Sequence, residues 1–176
     1  MAIGLRLRGA CAKWRNRGSA SGTWRERAMA KLSCDELQSI ATQVFPPLVQ
    51  ALGLRVEKAD GGGIAVRMPV SGHVARPDGV ISGQAICSLA DTVMVLAIAS
   101  QLGEFQPIAT VDFHISFLGA IRDADAIATT KVERIGSSLA FVSTVVSSAK
   151  DSGKIAAKAS ATFAMPRESK GKERAA

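Results

Sequence analysis

The sequence predicts an α+β domain in which an antiparallel sheet wraps around one long central helix. Three observations carry that prediction. The run from Gly83 to Leu102, GQAICSLADTVMVLAIASQL, is apolar on every face and holds one formal charge, Asp91; a helix without a polar face has to be enclosed. Strand-like runs flank it, two before and four after, and the one over Ala109–Leu118 alternates at a period of two. Apolar residues make up 47% of the chain but aromatics only 5%, with no Tyr. Bulk supplied by Ala, Val and Ile suits a packed sheet and helix better than an aromatic nucleic-acid platform.

Taken in order, Ser33 or Asp35 caps a helix over residues 35–45, with Leu37, Ile40, Ala41 and Val44 on its apolar face, until Pro46-Pro47 interrupts it. Extended runs at Leu54–Ala59 and Ile64–Val70 are joined by Asp60-Gly61-Gly62-Gly63, a hairpin signal. Gly72–Ser82 reads as loop and leads into the apolar helix. In Ala109–Leu118, Val111, Phe113, Ile115 and Phe117 share one face, and Thr110, Asp112, His114 and Ser116 the other. The strands Asp125–Ile135, Leu139–Ala149 and Lys154–Met165 follow, broken at Gly136 and at Asp151-Ser152-Gly153. Lys150, Lys154 and Lys158 read as solvated edge charges.

At 176 residues the chain makes one domain with tails. Its net charge of +7 is concentrated in residues 1–28, where Arg6, Arg8, Lys13, Arg15, Arg17, Arg25 and Arg27 face a single acid, Glu26. The remainder, residues 29–176, is close to neutral, so the domain at 29–165 is a poor candidate for a nucleic-acid surface. Residues 1–28 read as a basic disordered leader or as a mitochondrial-type presequence, and Met29 is an alternative start. The chain from Pro166 to Ala176 is a polar tail. Cys11, Cys34 and Cys87 have neither paired nor metal-like spacing. A reducing compartment follows: the cytoplasm, or the mitochondrial matrix if the leader is a presequence.

The apolar helix is read as core rather than as a membrane span. Ala85–Ala99 covers about 15 residues, against the roughly 20 that a span needs, and Asp91 stands at its centre. Burial there raises the carboxyl pKa. Asp91 then either bonds a polar group at one end of the sheet or serves a dry cleft as general base or nucleophile. The helix start adds a second feature. The first amides, around Gly83 and Gln84, have no intrahelical acceptor and sit at the positive end of the helix dipole. Gly83 lets a carbonyl come close, as in an oxyanion hole; the plainer alternative is an ordinary start capped by Ser82. Gly83 and Asp91 are eight positions apart, about 12 Å at 1.5 Å per residue. If both act on one carbonyl they come from different subunits, so the chemistry predicts an oligomer.

Other residues carry less. His73 and His114 are the only histidines, too few for a metal cluster. Cys87 and Ser88 flank no G-x-S-x-G elbow, which disfavours them as nucleophiles. The Asp60–Gly63 turn lacks the lysine and helix of a phosphate loop.

The segment Gly79–Asp91, the following apolar helix, TVDFHISFL and VERIGSSLAFVSTVV together resemble the PaaI-like acyl-CoA thioesterases of the hotdog superfamily, over roughly Leu48–Met165. The resemblance implies a hotdog fold, hydrolysis of acyl- or aryl-CoA without metal or cofactor, and self-association as a dimer or dimer of dimers. By position it makes Asp91 the catalytic acid and Gly83 the amide that polarises the thioester. It places Ser82 and Gln84 beside that amide, Thr110 and Asp112 on the acyl-pocket strand, and Arg134, Gly136, Ser137 and Ser138 near CoA. The usual His-Gly-Gly is Ser82-Gly83-Gln84 here, closer to a Ser-Gly-Pro branch, and Arg76 replaces a usual asparagine. The missing histidine leaves a non-catalytic acyl-CoA-binding protein as the alternative. A hotdog hydratase is disfavoured, because His73 lies far ahead of Asp91.

Overall fold

The computed structural model describes residues 32–60 and 63–166. The basic leader, Gly61, Gly62 and nearly all of the polar tail lie outside the described residues. Helix α1 spans Cys34–Gln43 and is closed at its start by a capping box: Ser33 Oγ accepts from Glu36 N–H at 3.3 Å, and Glu36 Oε2 accepts from Ser33 N–H at 2.9 Å. Its buried face is Leu37, Ile40 and Ala41, while Val44, expected on that face, is the partly exposed C-cap residue. A short helix α2, Pro47–Gln50, begins at the second proline, whose fixed φ suits a first helical turn. Gln38 ties α1 to the sheet by donating to Leu54 O at 2.9 Å and accepting from Val56 N–H at 2.8 Å.

Six strands follow in the expected order: β1 (Arg55–Asp60), β2 (Gly63–Met68), β3 (Ala109–Phe117), β4 (Ala126–Ile135), β5 (Leu139–Ser148) and β6 (Asp151–Ala164). Helix α3, Gly83–Leu102, separates β2 from β3. The strands form one antiparallel sheet in the order β1-β2-β4-β5-β6-β3. The α+β architecture, with a sheet around one long helix, is therefore as the sequence predicts. The edge strands are β1 and β3, so Lys154 and Lys158, on β6, are exposed but lie on an interior strand. Strand β6 also starts at Asp151, not Lys154, leaving Ala149 and Lys150 as the β5–β6 turn.

The core forms between α3 and the concave side of the sheet. Leu89, Val93 and Leu96 pack with Val66, Met68, Ala126 and Ala128, while Ala90, Met94 and Ile98 pack with Ala140, Val142, Ala161 and Phe163. Ala, rather than a larger residue, at so many sheet positions lets the strands curl closely onto the helix. The Thr130 and Thr144 hydroxyls on this inner side satisfy each other at 2.7 Å. The helix has 20 residues, so its length does not exclude a span; its packing inside the sheet, with 67% of its most apolar window buried, makes it a core helix.

Two features differ from the sequence pattern, and both shape the site. Helix α3 is not enclosed all round. Gln84 is exposed, and Cys87, Ser88, Asp91 and Val95 are half-buried; at 100° per residue these five fall on one narrow stripe. In addition, β3 carries a bulge at Val111, since Thr110 pairs with Phe163 and Asp112 with the next residue, Thr162. The extra residue reverses the side-chain alternation. Thr110 therefore shares the helix-facing side with Phe163, Phe113 and Ile115, whereas Asp112, His114 and Ser116 face outward. The clean alternation expected across the whole strand holds only after the bulge.

Candidate active site

The stripe on α3 and the adjoining edge strand β3 form an open strip of surface with Asp91 at its middle. Asp91 is held by Thr110, whose Oγ1 donates to Asp91 Oδ1 at 3.1 Å. That contact exists because of the bulge, which turns Thr110 toward the helix. Burial against the sheet pushes the Asp91 carboxyl above the ordinary carboxylate range, and the Thr110 hydrogen bond pulls it back in part. A carboxylate partly stripped of water and steered by one hydroxyl suits proton abstraction or attack on a carbonyl.

At the helix start, Ser82 is the N-cap in extended conformation, and its Oγ accepts from Ala85 N–H at 3.2 Å. Ser82 O takes Ile86 N–H at 3.1 Å. The Gly83 and Gln84 amides are thus the first-turn donors left without an acceptor among the described residues. Over Gly83 lies Phe117: a Cβ built on the glycine would touch its ring at 3.4 Å. Phe117 is half exposed, an aromatic wall beside the free amides. The sequence pattern placed it on an apolar strand face without revealing this contact.

These contacts place the two candidate catalytic groups at opposite ends of β3. Asp91 meets Thr110 near the start of the strand, and Gly83 meets Phe117 at its end. Both groups lie on one unbroken helix, eight positions and so about 12 Å apart. Within one chain, Asp91 does not reach the Gly83 amide.

The remaining residues singled out from the sequence fall into separate groups. Ser82 and Gln84 stand with Gly83. Thr110 stands with Asp91, but Asp112 faces away from it. Arg134 has a bulge of its own before it in β4, at Glu133, and pairs with Phe141, which pairs with Thr162 and so with Asp112. Arg134 and Asp112 thus share a row on the outer side of the sheet. Gly136, Ser137 and Ser138 form the β4–β5 turn, with Gly136 N–H donating to Leu139 O at 2.8 Å and Ser138 O accepting from Met165 N–H at 2.9 Å. That turn lies one step beyond the Ile135–Ala140–Phe163–Thr110 row, at the Asp91 end of the sheet. The half-buried Cys87, whose thiol is pushed up by burial, lies on the stripe between the two catalytic candidates.

Thr110 supports a specific prediction. Thr110→Val removes the hydrogen bond that favours the carboxylate, so the Asp91 pKa should rise further and the acidic limb of the kcat/KM–pH profile should move to higher pH. Thr110→Ser should restore the profile; an unmoved limb in Thr110→Val would refute the coupling.

Comparison with known proteins agrees with this architecture. Residues 78–154 match the thioesterase superfamily model. Among solved structures, thioesterase superfamily member 2 of zebra fish superposes with a TM-score of 0.68 at 23% identity, covering 77% of this chain and 99% of the other. A thioesterase from Haemophilus influenzae gives 0.67 at 20% identity, covering 77% and 92%. A conserved protein from Pseudomonas aeruginosa gives 0.62 at 27% identity, covering 69% and 95%. A search of curated proteins finds no match to the chain. The match is to the superfamily as a whole and does not single out the PaaI-like branch.

Proposed function

Starting from a hotdog-fold chain matched to the thioesterase superfamily, we propose that it hydrolyses an acyl- or aryl-CoA thioester to the free acid and CoA, and that its active site is completed by a second copy of the chain. The superfamily match supports thioester hydrolysis in general, and CoA is the finer reading. The observation that carries the proposal is Asp91 itself: an acid with a raised pKa, set by Thr110 on the one stripe of α3 that its own sheet leaves open.

In this reading the thioester carbonyl sits at the start of α3, and its oxygen accepts from the Gly83 amide. Asp91 of the second copy takes a proton from water as the water oxygen attacks the carbonyl carbon. The tetrahedral oxyanion is held by the amide and the helix dipole. The C–S bond then breaks, and the thiolate leaves with a proton returned from Asp91. The same carboxylate could instead attack the carbonyl directly and form an anhydride that water cleaves; both routes need Asp91 ionised and the amide free. Ser82-Gly83-Gln84, in place of His-Gly-Gly, leaves the backbone donor as the principal one.

The need for a second copy is supported by the separation of Gly83 from Asp91. It is also supported by β3, an edge strand with Val111 and Phe117 exposed and Leu118 exposed just beyond it. Pairing of two such edges would cover the stripe and bring one subunit's acid toward the other's amide. Solution mass distinguishes such a dimer from a dimer of dimers. The free thiols Cys34 and Cys87 fit a reducing compartment, cytoplasmic or mitochondrial.

The test is thiol release from a panel of short, medium, long and aromatic acyl-CoAs. Turnover of at least one is expected. Binding without turnover across the whole panel would favour the second reading, a non-catalytic acyl-CoA-binding protein, to which the missing histidine gives its support.

A further inference from the structure

We propose that Phe117 is a positioning residue for the reaction: its ring keeps water from one side of the Gly83 amide and so strengthens the hydrogen bond that this amide gives to the thioester carbonyl. The inference rests on the acyl-CoA reading above and adds a residue that acts on the substrate through the amide. A methyl group built on Gly83 would stand 3.4 Å from Phe117 Cζ and 3.6 Å from Cε1, ordinary van der Waals distances. The ring and the glycine are therefore no more than a methyl group apart, and no water molecule fits between them.

The backbone fixes the ring in this place. Phe117 ends β3 opposite Ala157 of β6. Just beyond it, the Leu118 and Gly119 amides both donate to Ala156 O, at 2.8 and 3.1 Å. Ala156 and Ala157 are buried, so the strand end that carries the ring is pinned to the core. On the helix side, Ser82 N–H donates to Val74 O at 2.8 Å, and Ser82 Oγ takes the Ala85 amide. The Gly83 and Gln84 amides are what this arrangement leaves for a ligand, and Phe117 flanks the first of them. The chain has only six Phe, two Trp and no Tyr, yet it keeps this ring 52% exposed. A ring left half in water forgoes much of its burial energy, and a role at the amide accounts for its position. Where water cannot compete for the donor, a hydrogen bond to a developing oxyanion is stronger. Asp91 of the second copy would approach the carbonyl from the side that the ring leaves open.

The experiment uses a CoA analogue in which a methylene replaces the thioester sulfur, giving a ketone that cannot be hydrolysed. With the carbonyl isotope-labelled, infrared difference spectroscopy of the complex with the full chain reads its polarisation directly. In the wild type the carbonyl stretch should lie at lower wavenumber than in water. Phe117→Ala should lose most of that shift, Phe117→Leu, which keeps an apolar cover, should retain it, and Gly83→Pro should abolish it. Phe117 is half exposed, so neither of its variants empties the core. With acyl-CoA as substrate, Phe117→Ala should lower kcat about tenfold, less than the roughly 10²–10³ that follows outright loss of an oxyanion donor. Its KM should stay close to that of the wild type. A carbonyl stretch equal in wild type and Phe117→Ala would overturn the proposal. So would a raised KM with unchanged kcat, which marks uniform substrate binding. A lower solution mass for Phe117→Ala would also overturn it, by making the ring a subunit contact. If the wild type hydrolyses no thioester, the proposed function fails, while the infrared measurement still decides the role of Phe117.

Discussion

Asp91→Asn should leave the protein folded and lower thiol release by at least about a hundredfold, the lower end of what a positioned general acid or base contributes. The substitution keeps the shape of the side chain and an oxygen that can accept from Thr110, so the α3 stripe is undisturbed. Because burial raises the Asp91 pKa in the folded state, ionisation opposes folding, and that penalty appears as pH rises through the folded pKa. At neutral pH the neutral asparagine should therefore have a Tm equal to or above that of the wild type. A variant with intact Tm and unchanged turnover would remove Asp91 from the mechanism, whereas loss of the folded state would contradict the position of Asp91 on an open stripe.

Gly83→Pro should abolish activity by removing the amide, and its mixture with Asp91→Asn should recover part of it. Gly83 is the first helical residue, where proline is tolerated, and Ser82 has φ −68° and ψ 148°, the extended conformation that a following proline requires. The helix should thus form without its free N–H at position 83. If each site takes Asp91 from one chain and the Gly83 amide from the other, a mixed dimer contains one intact site. Random exchange of two inactive homodimers would then yield roughly a quarter of wild-type activity, from the statistics of a two-fold interface. If both groups serve one site within a chain, every site in the mixture is dead and no activity returns. The recovered fraction is read by thiol release after unfolding and refolding the two variants together, with the wild type taken through the same cycle as reference.

Much of this protein was legible in its sequence because the signals are local. The capping residue Ser33, the prolines at 46 and 47 and the six strand runs all report their own backbone preferences. The position of Asp91 in an apolar run also marked it without any knowledge of its neighbours. The bulge at Val111 was not legible. Thr110, Val111 and Asp112 continue the alternating pattern, and only the register against Phe163 and Thr162 shows that one residue is extra. That single insertion assigns Thr110 to the acid and sends Asp112 to the outer side. The β4 bulge at Glu133 acts in the same way on Arg134. The contact of Phe117 with Gly83 joins residues 34 positions apart and carries no pattern of its own.

The apolar helix and its lone acid were therefore determined by the sequence alone, since a run that cannot face water must be covered and a charge within it must have a role or a partner. Which part of that helix stays uncovered was decided by the tertiary structure. A curled six-stranded sheet ending at β3 encloses most of the helix and leaves one stripe, and Asp91 lies on it. Periodicity records how apolar each face is, whereas the extent of the sheet sets which face meets protein and which remains open.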